Sequence, residues 1–184
     1  MTKYVFVGTS LDGYIAGKDG ALDWLNETPN PSKSDYGYAE FLENIDALVM
    51  GRNTFEMVLG FGEWPYEKPV FVLSNTLDKV PAELKGKVEI VNGDLKTLVT
   101  MLTKRGYENL YIDGGKVIQS FLKEDLIDEM ILTRIPILLG EGVPLFGKLE
   151  SRMKFTLVKT VTYNDALVSS HYIRVKEDPE RTTG

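Results

Sequence analysis

Residues 111–121 read YIDGGKVIQSF: a short apolar run, an aspartate, two adjacent glycines and then a helical pattern. A strand that passes straight into a helix is the repeating unit of a layered α/β sheet. Glycines at such a junction admit two readings. They allow a tight turn with the helix packed close on the sheet, or they let an anion approach the free N–H groups of the helix start. Gly114-Gly115 is not the G-x-G-x-x-G fingerprint, and this stretch alone leaves both readings open.

The same unit recurs on either side. Strand-like runs occur at Tyr4–Gly8, Ala47–Met50, Val70–Leu73, Val88–Val91, Leu110–Ile112 and Glu129–Ile135. They are continuous in Val, Ile and Leu rather than alternating, as strands covered on both faces are. Helical patterns lie between them at Asp35–Asn44, Thr54–Leu59, Leu95–Arg105 behind the N-cap Asp94, and Lys116–Leu122. The final third differs: Phe155–Tyr163 and Leu167–Lys176 are long strand patterns joined by Asn-Asp, an antiparallel hairpin. The predicted fold class is therefore α/β and three-layered, with a mixed, mostly parallel sheet ending in an antiparallel hairpin. A single domain is expected over residues 1–176, with a frayed polar tail at 177–184. The segment Asn26–Ser34, with Pro29 and Pro31, reads as an irregular loop of the kind that borders a site.

Composition narrows the function. The chain has 184 residues, 43% of them hydrophobic and 26% charged, and a net charge of −6 with both signs interspersed. No Lys/Arg cluster is dense enough to follow a phosphate backbone, so nucleic acid is not an expected partner. No apolar run approaches the roughly 20 residues that span a bilayer, so no membrane is expected either. The N-terminal MTKYVFVGTS reads as a first strand rather than a signal peptide, and a cytoplasmic location is expected. With no cysteine there is no disulfide or thiolate chemistry. A single histidine, His171, argues against a metal site and reads as structural within the last strand.

Three strand ends carry groups with chemical potential. LVMGRNTFE places Gly51, Arg52, Asn53 and Thr54 at the start of a helix, where N–H groups and a guanidinium favour an anion. VFVLSNT ends in Ser74 and Asn75, whose side chains suit a phosphate or a ribose. Asp113-Gly114-Gly115 forms the third junction, followed by Lys116 and Val117. Each also has a plain structural explanation: a helix cap by Asn53 or Thr54, a polar turn, a tight glycine junction. Taken together on the carboxyl edge of one sheet, where α/β folds bind ligands, they favour an extended phosphorylated ligand such as a dinucleotide.

The order of these motifs resembles the dihydrofolate reductase superfamily. Ser10-Leu11-Asp12-Gly13-Tyr14-Ile15-Ala16 and Pro136-Ile137-Leu138-Leu139-Gly140-Glu141-Gly142-Val143-Pro144-Leu145-Phe146 are similar to motifs of its second branch. That branch comprises the reductase domain of bacterial riboflavin biosynthesis and its small stand-alone relatives. The resemblance implies NADPH as hydride donor and a small pteridine- or pyrimidine-type substrate, with a homodimer as the assembly. It implies that Gly51, Arg52 and Thr54 hold the 2′-phosphate and pyrophosphate. Ser74 would lie at the adenosine end, Gly114, Gly115, Lys116 and Val117 at the pyrophosphate, and Gly8–Ser10 with Ala16 beside the nicotinamide. Asp35 is the positional candidate for the proton donor, with helix capping as its alternative role. Asp12 would touch substrate or brace its turn. Trp24 and Tyr36 are candidates for contacting a planar heterocycle. Two rivals are a dihydrofolate reductase and a nucleotide-binding module without catalysis. Gly114→Val is expected to abolish NADPH binding and leave the fold largely intact.

Overall fold

The structure, a computed structural model, describes residues 1–176. The polar tail expected at 177–184 lies outside the described residues. In chain order the elements are β1 (Thr2–Thr9), β2 (Tyr14–Ala16), α1 (Tyr38–Glu43), β3 (Ala47–Gly51), α2 (Arg52–Leu59), β4 (Val70–Leu73) and β5 (Val88–Val91). Then come α3 (Leu95–Lys104), β6 (Asn109–Asp113), α4 (Gly115–Lys123), β7 (Glu129–Arg134), β8 (Val143–Pro144), β9 (Phe155–Tyr163) and β10 (Leu167–Arg174).

Eight strands form one sheet in the order β5-β4-β3-β6-β1-β7-β10-β9. Pairing is parallel from β5 to β7 and antiparallel in β7/β10/β9. The mixed, mostly parallel sheet with its terminal hairpin is thus as the sequence pattern predicts. The continuous apolar runs have a direct cause. In β3, Ala47 and Val49 enter one core with Leu98, Leu102, Ile118 and Phe121 of α3 and α4. Their neighbours Leu48 and Met50 enter a second core with Phe41 of α1 and Phe55 of α2. Successive side chains of a strand point to opposite faces, and here both faces are buried, so no position tolerates a polar residue. Fully burying a side chain such as Val49, Leu48 or Met50 contributes about 1.5–3 kcal/mol.

The hairpin turn is set by its two central residues. Asn164 and Asp165 have φ of 51° and 54°, and Ala166 N–H donates to Tyr163 C=O at 3.0 Å. Two consecutive left-handed residues make a type I′ turn, whose twist matches that of the strands. Two local expectations need correction, and one small element has no counterpart in the sequence pattern. The helix predicted over Asp35–Asn44 occupies only Tyr38–Glu43, because Tyr36 (φ 57°) and Gly37 (φ 85°) lie in the left-handed region. The helix α2 begins at Arg52, so its N-cap is Gly51 rather than Asn53 or Thr54. Finally β2 and β8 pair in a small antiparallel sheet, Tyr14↔Pro144 and Ala16↔Val143. These strands are too short to show a period-2 pattern. Among the described residues no helix is long and apolar enough to cross a membrane.

Candidate functional site

The sheet is split at its centre. β1 pairs with β6 only from Thr2↔Asn109 to Tyr4↔Tyr111, whereas its pairing with β7 continues to Thr9↔Arg134. Beyond Tyr4 and Tyr111, β1 and β6 therefore diverge toward the carboxyl edge. This is also where strand order reverses: the chain runs outward through β3, β4 and β5, then returns to place β6 beside β1. Ligands of open α/β sheets bind at such a switch point.

The glycine junctions converge beside this split. A Cβ on Gly51 would lie 3.1 Å from Val117 Cγ2, so the starts of α2 and α4 touch. Gly114 has φ +89°, and a Cβ there would overlap Thr54 Oγ1 and stand 3.4 Å from Thr54 Cβ. A Cβ on Gly115 would meet Val143 Cγ1 at 3.0 Å and Ile15 Cδ1 at 3.1 Å, in the small sheet. Close packing within the chain thus demands glycine at 114 whatever binds there. The expectation that Gly114→Val leaves the fold intact is overturned by this contact and by the positive φ.

The same junctions leave helix ends open. α3 is capped by Asp94, whose carboxylate accepts Thr97 N–H at 2.8 Å. α2 and α4 have glycine N-caps and no side-chain cap. Two adjacent uncapped helix N-termini present N–H donors and partial positive charge to the same place. At the rim, Arg52 Nε donates to Glu56 Oε1 at 2.7 Å and Nη1 to Thr76 Oγ1 at 3.0 Å. Ser74 Oγ accepts the N–H of Thr76 at 3.2 Å and of Leu77 at 3.0 Å. Ser74 and Asn75 also line a cleft of about 290 Å³ with Leu73, Gly93, Leu95 and Ser120. Asn53 and Lys116 are exposed beside these groups.

The titratable group at the split is Asp113, whose carboxyl has no role assigned from the sequence beyond preceding the two glycines. It ends β6 with Gly114 N–H donating to its Oδ1 at 2.8 Å. Burial pushes its carboxyl up to about 6, although that N–H favours the charged form. Three phenols lie within reach of its charge. Burial and the Asp113 charge push Tyr38 up to about 12 and raise Tyr66 and Tyr111. Tyr111 Oη donates to Phe6 C=O at 2.9 Å. Tyr66 packs edge-on against Trp64 at 5.3 Å, and Trp64 against Phe55 at 5.8 Å. The Trp64 Nε1 is buried with no acceptor among the described residues. An aromatic wall with a carboxyl that holds its proton to a higher pH than an ordinary aspartate suits a planar, hydrogen-bonding ligand. The signal for Asp113 in the sequence was its place at the end of a central strand, where the structure leaves it half-buried.

The other candidates take structural places. Asp35 is exposed and accepts Ala39 N–H at 2.8 Å and Gly37 N–H at 3.0 Å, which hold its carboxyl below the usual range. Asp35 thus braces the turn leading into α1, whose N-cap is Gly37, and a carboxylate held ionised by two donors is a poor acid. Asp12 accepts from Ser10 Oγ at 2.5 Å, Gly140 N–H at 2.8 Å and Leu139 N–H at 3.2 Å, which lower it likewise. It pins the Ser10–Gly13 turn to the Leu138–Gly140 loop. Trp24 is 3% exposed among Ile135 and Leu167, which leaves it no face for stacking. Tyr36 packs edge-on against Tyr163 at 5.3 Å. Both line a separate cleft of about 330 Å³ beneath α1 with Tyr4, Glu129 and His171. His171 Nε2 lies 2.6 Å from Glu129 Oε2 there. Among the described residues no group of His, Cys, Asp and Glu is placed to hold a metal.

Comparison with known proteins agrees with this architecture. The RibD C-terminal domain family matches residues 4–169. The uncharacterized protein YwjB of Bacillus subtilis strain 168 is 35% identical over 173 residues, 92% of this chain and 96% of YwjB. A provisionally assigned riboflavin biosynthesis protein of Shewanella sp. PV-4 superposes with a TM-score of 0.93 at 54% identity, over 96% of this chain and all of that one. The Thermotoga maritima diaminohydroxyphosphoribosylaminopyrimidine deaminase/5-amino-6-(5-phosphoribosylamino)uracil reductase shares the fold at 17% identity and a TM-score of 0.72, over 95% of this chain and 56% of that one. So does the Enterococcus faecalis dihydrofolate reductase complexed with NADP(H), at 22% identity and a TM-score of 0.67, over 95% of this chain and 97% of that one. The fold is dihydrofolate reductase-like. The chain belongs to the RibD C-terminal domain family.

Proposed function

We propose that the protein is an NADPH-dependent reductase of a small planar heterocycle, akin to the uracil-derivative reductase of riboflavin biosynthesis. The observation that carries this reading is the convergence of two uncapped, glycine-led helix N-termini on the split between β1 and β6. The residues fit the cofactor. Gly51, Thr54, Gly114, Gly115 and Val117 would receive the pyrophosphate, with Asn53 and Lys116 at its edge. Arg52 would face the 2′-phosphate, and Ser74 and Asn75 the adenosine. NADPH, when bound, supplies the hydride.

The chain's own contribution is orientation and proton supply. Asp113 replaces Asp35 as the proposed proton donor: its Oδ atoms hold a proton at a pH where an ordinary aspartate has lost it. The Tyr38, Tyr66 and Trp64 wall would align the substrate ring and exclude water. Asp12 would act through the loop it pins rather than on the substrate. The rival without catalysis expects Asp12 and Asp35 to face no common pocket, and each is indeed engaged locally. Asp113 is what distinguishes an enzyme here. Titration of NADPH against NADH by tryptophan fluorescence tests the cofactor assignment, with loss of NADPH absorbance in a heterocycle screen as the second step. Equal affinity for the two cofactors would remove the Arg52 role, and no binding of either would remove the function. From the family resemblance we also propose a homodimer, which light scattering would refute by finding one chain's mass.

A further inference from the structure

Arg52 does not hang free at the cofactor rim. Its Nε is held by Glu56 Oε1 at 2.7 Å and its Nη1 by Thr76 Oγ1 at 3.0 Å. Nε and Nη1 each have a partner, and among the described residues none bonds Nη2, which keeps its N–H donors for a further group. Thr76 Oγ1 spends a lone pair on Arg52, and Ser74 Oγ spends its own on the N–H groups of Thr76 and Leu77. Both hydroxyls therefore keep their protons as donors, with their oxygen positions fixed by other bonds. The half-exposed Arg52–Glu56 pair joins successive turns of α2, and Thr76 follows β4, so two elements set one guanidinium.

We propose that Glu56 and Thr76 are positioning residues that preorganise Arg52, and with it selectivity for a ribose 2′-phosphate over an unphosphorylated ribose. The proposal rests on the dinucleotide reading of the rim. Glu56 acts in two opposed ways. It fixes a long side chain whose rotamer freedom would otherwise be lost on binding, and its charge repels the phosphate. A glutamine at 56 keeps an acceptor for Nε without the charge, whereas an alanine frees the side chain.

The test uses 2′-phosphoadenosine 5′-diphosphoribose and ADP-ribose, which lack nicotinamide, so that calorimetry reads affinity without turnover. Glu56→Ala and Thr76→Val are each expected to weaken the 2′-phosphorylated ligand about three- to tenfold and to leave ADP-ribose unchanged. Glu56→Gln is expected to hold or tighten the phosphorylated ligand and to steepen its salt dependence. Glu56→Ala without effect, or with equal effect on both ligands, overturns the positioning role. So does Glu56→Gln behaving as Glu56→Ala. Should the unaltered protein bind neither ligand, the dinucleotide reading fails as a whole, an outcome distinct from the failure of Glu56 alone.

Discussion

Gly114→Ala measures how far the glycine junction is demanded by the chain itself. An alanine at φ +89° costs roughly 1–2 kcal/mol from backbone sterics alone. Its methyl would also overlap Thr54 Oγ1, an overpacking cost of about 1–3 kcal/mol. Thr54→Ala removes that hydroxyl and leaves the Thr54 Cβ position, 3.4 Å from the added methyl and in ordinary contact. The double variant should therefore recover the overlap part and retain only the backbone part. Urea unfolding followed by tryptophan fluorescence on all four proteins gives the cycle. A favourable coupling of about 1–3 kcal/mol is expected. With slopes of roughly 1–3 kcal/mol per molar, that is a midpoint shift on the order of 1 M. Strictly additive variants would refute the steric account. Gly114→Ala with unchanged stability but no NADPH binding would show that the glycine serves the ligand alone.

The remaining predictions concern charge, packing and turns. Asp113 is raised from 3.8 to about 6, so between these values the folded chain holds a proton that the unfolded chain has released. Its contribution to stability therefore falls as pH rises through that window, by up to roughly 3 kcal/mol. Tyr38, Tyr66 and Tyr111 face it and stay neutral throughout. Asp113→Asn should flatten the thermal-denaturation profile from pH 4 to 6 and raise stability at pH 8, while slowing substrate reduction. An unchanged profile would mean the carboxyl is not buried as described. Phe121→Ala removes a fully buried side chain from the α4 face and should cost about 3–5 kcal/mol by urea denaturation. Asp12→Ala should speed hydrogen exchange at the Leu139 and Gly140 amides and leave the core amides protected; unchanged exchange there would deny the brace. Asp165→Gly, at φ 54° in the type I′ turn, should raise the unfolding free energy by about 0.5–1 kcal/mol.

Much of the fold was legible because its physics is local. Runs such as Ala47–Met50 and Val70–Leu73 are apolar at every position, since one side chain meets α1 and α2 and the next meets α3 and α4. Asn164-Asp165 named its own turn, because few other residue types adopt two left-handed conformations in succession. The helix before β3 was overextended, because the spacing of Tyr38, Phe41, Leu42 and Ile45 cannot report the left-handed Tyr36 and Gly37 upstream. The small β2/β8 sheet joins segments more than 120 residues apart, and two or three residues carry no period.

By itself, then, the sequence determined the layers, the hairpin and the strand ends where polar and glycine residues gather, because these follow from side-chain period and backbone conformation along a short stretch. Which glycine faces what was decided by tertiary structure. Gly114 is confronted by Thr54 from a helix sixty residues earlier. The roles of the carboxylates were decided there as well. Asp12 and Asp35 found backbone N–H donors and stay ionised, whereas Asp113 lost water at the end of β6 and keeps its proton longer. An aspartate's acidity depends on the donors and the water that surround it, and those are supplied by parts of the chain that meet only when it folds.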